Sequence, residues 1–224
     1  MLARIRAANA AAASADASSA SFAASNPADV DAAYLAIPRD YLAAHHGQDI
    51  VALFAERTAD YRAIVERIAA SDIAVAVARA LPGPGRYVIP DGLPAGWLPA
   101  GAGAAGFGVA GFSMVGDDPP LSPGELDAAA GVITGCAVAI AETGTIILDH
   151  GRGQGRRALT LVPDFHLVIV RADQVEPDLA GAFGRLDPAR PHTLISGPSA
   201  TSDIELIRVE GVHGPRTLHV LIAG

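Results

Sequence analysis

The sequence predicts an α/β protein with an open, mostly parallel sheet and helices on both faces. Three observations carry that expectation. Short runs of β-branched and aliphatic residues recur, and several are apolar at every position, as strands covered on both faces are. Segments with apolar residues at helical spacing lie between them. Gly/Pro clusters punctuate the alternation. The 224 residues suffice to bury roughly 70% of the unfolded chain's surface.

Residues 1–46 read as an N-terminal arm and linker. Leu2 and Ile5 open a short amphipathic helix that dissolves into Ala/Ser sequence, and Pro27 and Pro38 mark the linker. Residues 47–224 read as a single α/β domain. Between 49 and 81, Ile50, Leu53, Phe54, Tyr61, Ile64, Val65 and Ile68 recur at helical spacing. They predict one or two helices, ended by Pro82-Gly83-Pro84-Gly85. Tyr87-Val88-Ile89 predicts a strand stopped by Pro90. Residues 90–106 read as an irregular crossing and 109–115 as a second strand. Ser122-Pro123-Gly124-Glu125 is a helix start: Ser122 as N-cap, Pro123 at the first helical position, Glu125 three residues after the cap. That helix is expected to reach about Ala130. Strands follow at 132–134, 138–141, 145–148 and 167–170, then a helix over 173–186. A buried strand is expected at 193–195, a short helix or turn at 204–209 and a final strand at 217–222.

Composition narrows the function. The net charge is −8, and all sixteen basic residues are arginine. No lysine means no lysine Schiff base and no P-loop lysine. An acidic chain without a basic run is a poor nucleic-acid binder. Half of the arginines follow Asp149, which suits a small anionic ligand. The single cysteine, Cys136, forms neither an internal disulfide nor a cysteine-ligated iron–sulfur cluster by itself. No metal is assigned, since the seven histidines show no metal-ligand spacing. The longest apolar runs are too short or interrupted for a membrane span, and the N-terminus lacks the apolar core of a signal peptide. The expected compartment is the cytoplasm.

Chemistry concentrates in Gly-rich loops. Glu142-Thr143-Gly144-Thr145 sets a carboxylate in a turn between apolar runs. In a partly apolar pocket such a carboxylate has a raised pKa and acts as nucleophile or base; in an ordinary turn it accepts backbone N–H bonds. Gly153-Gln154-Gly155-Arg156-Arg157 combines a possible nest of N–H donors with two guanidinium groups. Ser196-Gly197-Pro198-Ser199-Ala200-Thr201-Ser202-Asp203 supplies hydroxyls after a strand, where ligands sit beyond the carboxyl ends of open α/β sheets; Asp203 or Ser202 also suits a helix cap. His213, flanked by glycines, and Arg216 complete the candidate ligand-binding set, Arg216 beside Arg156 and Arg157 or paired with Glu210. Whether His150, His166 and His213 converge is left to the fold.

Two long segments, ITGCAVAIAETGTIILDHGRGQGRRALTLVPDFHLVIVRADQV from Ile133 and ISGPSATSDIELIRVEGVHGPRTLHVLI from Ile195, resemble the LUD-domain family, that of lactate utilization protein C. The resemblance implies a fold similar to the NagB/RpiA/CoA-transferase superfamily. It implies a subunit of a bacterial L-lactate utilization system, oxidising L-lactate to pyruvate beside iron–sulfur partner proteins that carry the redox centres. It also makes Glu142-Thr143-Gly144 similar to the Glu-x-Gly turn whose glutamate is the nucleophile of some CoA-transferases. Three readings follow: a lactate-system subunit binding a small carboxylate or another anionic ligand, an acyl- or CoA-transferase using Glu142, and a non-catalytic assembly protein.

Overall fold

The computed structural model describes residues 34–38, 47, 49–99, 111–201, 209–210 and 214–224. The chain divides into two compact units, residues 1–42 and 43–224. In the first, the described residues form a short turn closed by Ile37 N–H to the Tyr34 carbonyl.

The second unit opens with α1 (Ile50–Asp60), capped by Asp49, whose Oδ1 accepts the Ala52 N–H at 2.9 Å. Arg62 then takes a left-handed φ of 69° and turns the chain into β1 (Ile64–Ile68). The apolar spacing of Ile64, Val65 and Ile68 predicts helix, but these residues pair with the far end of the chain as an edge strand. Tertiary pairing outweighs local periodicity there. α2 (Ile73–Ala80) buries Ile73, Ala76, Val77 and Ala80, one face at i, i+3, i+4, i+7. β2 (Gly85–Val88) and β3 (Phe112–Val115) follow. α3 (Pro123–Asp127) starts at the expected capping box. Ser122 N–H donates to Glu125 Oε2 at 2.8 Å, and Glu125 N–H donates to Ser122 Oγ at 3.3 Å. It ends before Ala130 because β4 (Gly131–Thr134) begins at once.

The chain next builds a hairpin from β5 (Val138–Ile140) and β6 (Thr145–Leu148) and returns through β7 (Phe165–Arg171), buried over its first six residues. The helix expected over 173–186 is shorter. Val175–Glu176 forms β8, pairing with β5, and only after Pro177 does α4 (Leu179–Gly184) begin, capped by Asp178. β9 (Thr193–Ile195) is an edge strand with Leu194 50% exposed, where a buried strand was expected. Ala200–Thr201 (β10) pairs antiparallel with Val209–Glu210 (β11), so the end of the segment expected to be helix or turn is strand; residues 204–208 lie outside the described set. β12 (Thr217–Ala223) closes the chain.

Six strands form an all-parallel sheet in the order β1-β12-β7-β4-β2-β3. A four-stranded mixed sheet runs β8-β5-β6-β9. One face of the large sheet packs Tyr87, Ile133, Leu167, Ile169 and Leu221 on α2. The other packs Val168, Val170, Val220 and Ile222 on Phe54 of α1 and on Ala139, Ile146 and Leu148 of the small sheet. α4 covers the small sheet's outer side through Ala182. The fold is the expected mostly parallel α/β architecture, with one face covered by a second sheet as well as by a helix.

Candidate functional site

The two motif loops meet at neighbouring strand ends. β6 and β9 run antiparallel with Ile146 opposite Ile195, so Thr145 and Ser196 stand side by side. Their hydroxyls lie 2.8 Å apart, and Thr143 Oγ1 is 2.7 Å from Thr145 Oγ1. The end of α1 presses on both loops. Gly144 has a φ of +60°, and a Cβ there would fall 2.6 Å from the Arg57 and Thr58 backbone. Gly197 has a φ of +91°, and a Cβ there would fall 2.6 Å from Tyr61 Cβ. Both positions require glycine for conformation and for space.

Beside this junction lies a cleft of about 250 Å³. Arg157, Thr160 and Leu161 form one wall, and Thr193 to Ser199 form another. The floor is His166 and Leu218, with Gly214 and Pro215 at the rim. His166 and Leu218 are the second residues of β7 and β12. The cleft therefore opens at the amino ends of these parallel strands, not beyond their carboxyl ends as the loop sequence suggested.

Of the expected ligand-binding residues, Arg157, Ser196, Gly197 and Ser199 line the cleft. Thr145 touches it through Ser196. Glu142 does not line it and is exposed, so among the described residues no partly apolar pocket encloses this carboxylate. Gly153, Gln154 and Gly155 belong to a tight loop of another purpose. Gly153 N–H donates to the Asp91 carbonyl, and the N–H groups of Gln154 and Gly155 to Gly151. The Gln154 side chain is buried and bonds Asp149 through both of its ends. Those donors are engaged within the protein and form no open nest. Arg156 grips Asp117 through Nε at 2.6 Å and Nη2 at 2.9 Å, and also bonds the Leu121 carbonyl. Arg216 pairs with Asp164 at the surface; the Glu210 side chain lies outside the described set. The expected gathering of three arginines around one anion thus reduces to Arg157. Ala200 and Thr201 lie on the β10 hairpin, while Ser202, Asp203 and His213 are outside the described residues.

Arg157 differs from its neighbours. Its Nη1 donates to Thr193 Oγ1 at 2.8 Å, and no carboxylate among the described residues pairs with it. A relay runs behind that contact. His150 Nδ1 lies 2.9 Å from the Gly155 carbonyl, and its Nε2 lies 2.9 Å from Thr193 Oγ1. A carbonyl only accepts, so the proton sits on Nδ1; Nε2 then accepts from Thr193, whose oxygen accepts from Arg157. The chain of donors holds the guanidinium at the cleft mouth.

Burial and hydrogen bonding set three ionisations around the site. His166 is 1% exposed, and desolvation pushes its pKa down to about 4, so the cleft floor carries a neutral imidazole. Burial pushes the Cys136 thiol up to about 12, which leaves it a small buried side chain and not a nucleophile. Asp117 is held below the usual carboxylate range; its burial opposes that direction, and the hydrogen bonds from Arg156 and Leu121 outweigh it. Among the described residues no His, Cys, Asp and Glu side chains gather as a metal site. No helix among them is long and apolar enough to cross a membrane. Sequence reasoning passed over Thr160, Leu161, Thr193 and the floor role of His166. Thr193 opens an expected strand and has no motif of its own; only the fold shows that it faces Arg157.

These features define the class: a parallel α/β protein whose cleft lies where a mixed sheet meets the amino ends of two central strands. The model of the LUD domain matches residues 125–223, which includes every described residue lining the cleft. The chain is 48% identical over 180 residues to lactate utilization protein C of Deinococcus radiodurans, covering 79% of this chain and 80% of that relative. It is 38% identical over 92 residues to lactate utilization protein C of Bacillus pumilus, covering 37% and 38%. A crystal structure of a DUF162 family protein from Deinococcus radiodurans superposes with a TM-score of 0.64 at 41% identity, covering 79% of this chain and 97% of that one. The chain belongs to the LUD-domain family that includes lactate utilization protein C.

Proposed function

We propose that this protein acts in lactate utilization, in the cytoplasm and beside iron–sulfur partner proteins, and that its cleft holds a short carboxylate against Arg157. The family gives the process. The observation that supports the ligand class is the Arg157 guanidinium, without a carboxylate partner among the described residues and braced by Thr193 and His150. Arginine presents paired donors suited to a carboxylate. The Ser196 hydroxyl and the backbone at Gly197 offer further polar contacts along the opposite wall. A volume of about 250 Å³ lies below the roughly 300–1,000 Å³ of sites for drug-sized ligands and suits a three- or four-carbon acid.

Titration calorimetry of the full chain with L-lactate and pyruvate tests this. The expected result is saturable binding of at least one acid, weakened about tenfold or more by Arg157→Ala. Binding of neither acid, or equal binding by the variant, overturns the ligand assignment. The transferase reading needs Glu142 beside a bound acyl group. The exposed position of Glu142 off the cleft gives it no support, and we assign no nucleophile.

A further inference from the structure

We infer that His166 presents Nδ1–H to the cleft as a fixed hydrogen-bond donor, selecting carboxylates that carry a second acceptor oxygen, as short 2-oxo and 2-hydroxy acids do. This rests on the reading of the cleft given above and adds the feature of the ligand that Arg157 alone does not determine.

The argument begins with Thr134. It is fully buried on β4, and its Oγ1 lies 2.8 Å from His166 Nε2 on the adjacent strand β7. No other described residue bonds that hydroxyl. If Nε2 carried the proton, the Thr134 hydrogen would be a buried donor with no acceptor, the less tolerated kind of orphan. Donation from Thr134 to Nε2 satisfies the hydroxyl and leaves the ring proton on Nδ1. Nδ1 has no partner among the described residues. Nor is it one of the sealed, unpartnered polar atoms, which among these residues are Asp178 Oδ2 and His192 Nε2. It therefore opens onto the cleft whose floor His166 forms. The ring is neutral and nine-tenths or more buried, so its donor competes with little water and keeps its orientation.

Arg157 at the mouth and His166 on the floor thus offer two separate donors. A simple carboxylate satisfies the first and leaves the imidazole N–H facing apolar carbon. A site built to hydrogen-bond a substrate oxygen rejects the analogue that lacks it, because its own polar group is then unpaired.

Two measurements test the inference on the full chain. In ¹⁵N-histidine-labelled protein without ligand, the long-range ¹⁵N–¹H pattern is expected to report the Nδ1–H tautomer for His166. The Nε2–H tautomer overturns the proposal. In parallel titrations, pyruvate is expected to bind at least about tenfold more tightly than propionate, which lacks the second oxygen. Thr134→Val frees the ring to change tautomer and should collapse that ratio. His166→Asn, whose amide nitrogen occupies the position of Nδ1, should keep most of it. Equal affinities for pyruvate and propionate, both sensitive to Arg157→Ala, overturn the His166 inference and leave the cleft assignment standing. Binding of neither acid overturns both.

Discussion

Arg156 and Arg157 are adjacent in sequence and opposite in use. Arg156 is locked in a two-point pair with Asp117, whereas Arg157 faces a cleft and bonds a hydroxyl. Arg156→Ala is accordingly expected to lower stability by about 1 kcal/mol, modest because the guanidinium is partly exposed, with little effect on ligand affinity. Arg157→Ala should do the reverse; urea unfolding read beside ligand titration separates them. No sequence pattern distinguishes the two, because the distinction is made by Asp117, thirty-nine positions away. His166 gives a second prediction at this scale. Its folded pKa of about 4 lies below the usual histidine value, so the unfolded chain binds a proton that the folded one refuses between these limits. Its contribution to stability is intact above about pH 6.5 and falls away as pH drops towards 4, by on the order of 3 kcal/mol. His219 shifts in the same direction, through desolvation, so the test compares the wild type with His166→Asn. Urea midpoints at pH 7 and 4.5 should differ less in the variant. An equal acid loss in both would remove His166 as the cause.

The start of α3 and the central strands were legible in the sequence because their causes are local. The Ser122–Glu125 capping box stands where the spacing put it, and 145–148 is a strand with the expected bounds. The misread elements were decided at long range. Ile64–Ile68 is drawn into the large sheet by β12, and Val175–Glu176 into the small one by β5. The candidate site was legible in part for the same reason. The glycines of the two motif loops could be recognised, but not that both are shaped by one helix end. Gly144→Ala and Gly197→Ala each force an L residue into a left-handed φ and push a methyl group against backbone or Tyr61 Cβ. Each should cost about 2 kcal/mol or more in thermal or urea unfolding. Near-neutral effects would mean that α1 does not grip these loops.

At the scale of the molecule, the last strand in sequence is second in the sheet. β12 lies between β1 and β7, parallel to both; it pairs Ile64 with His219, 155 positions apart, and Phe165 with Thr217, 52 positions apart. Pairings of such separation tie the cleft floor, built from β7 and β12, to completion of the whole sheet. Leu221→Ala, at a fully buried β12 position facing α2, should destabilise by about 2–5 kcal/mol. Leu194→Ala on the half-exposed edge strand should cost much less, as urea unfolding can show. The central claim is that this sheet presents a carboxylate-binding cleft at its amino edge. Crystallography of the protein with pyruvate tests it most directly. The expected result is difference density in the cleft, with the carboxylate paired to Arg157 and the oxo group towards His166. Pyruvate bound instead at the carboxyl ends of the strands, or beside Glu142 with the cleft empty, would contradict the account.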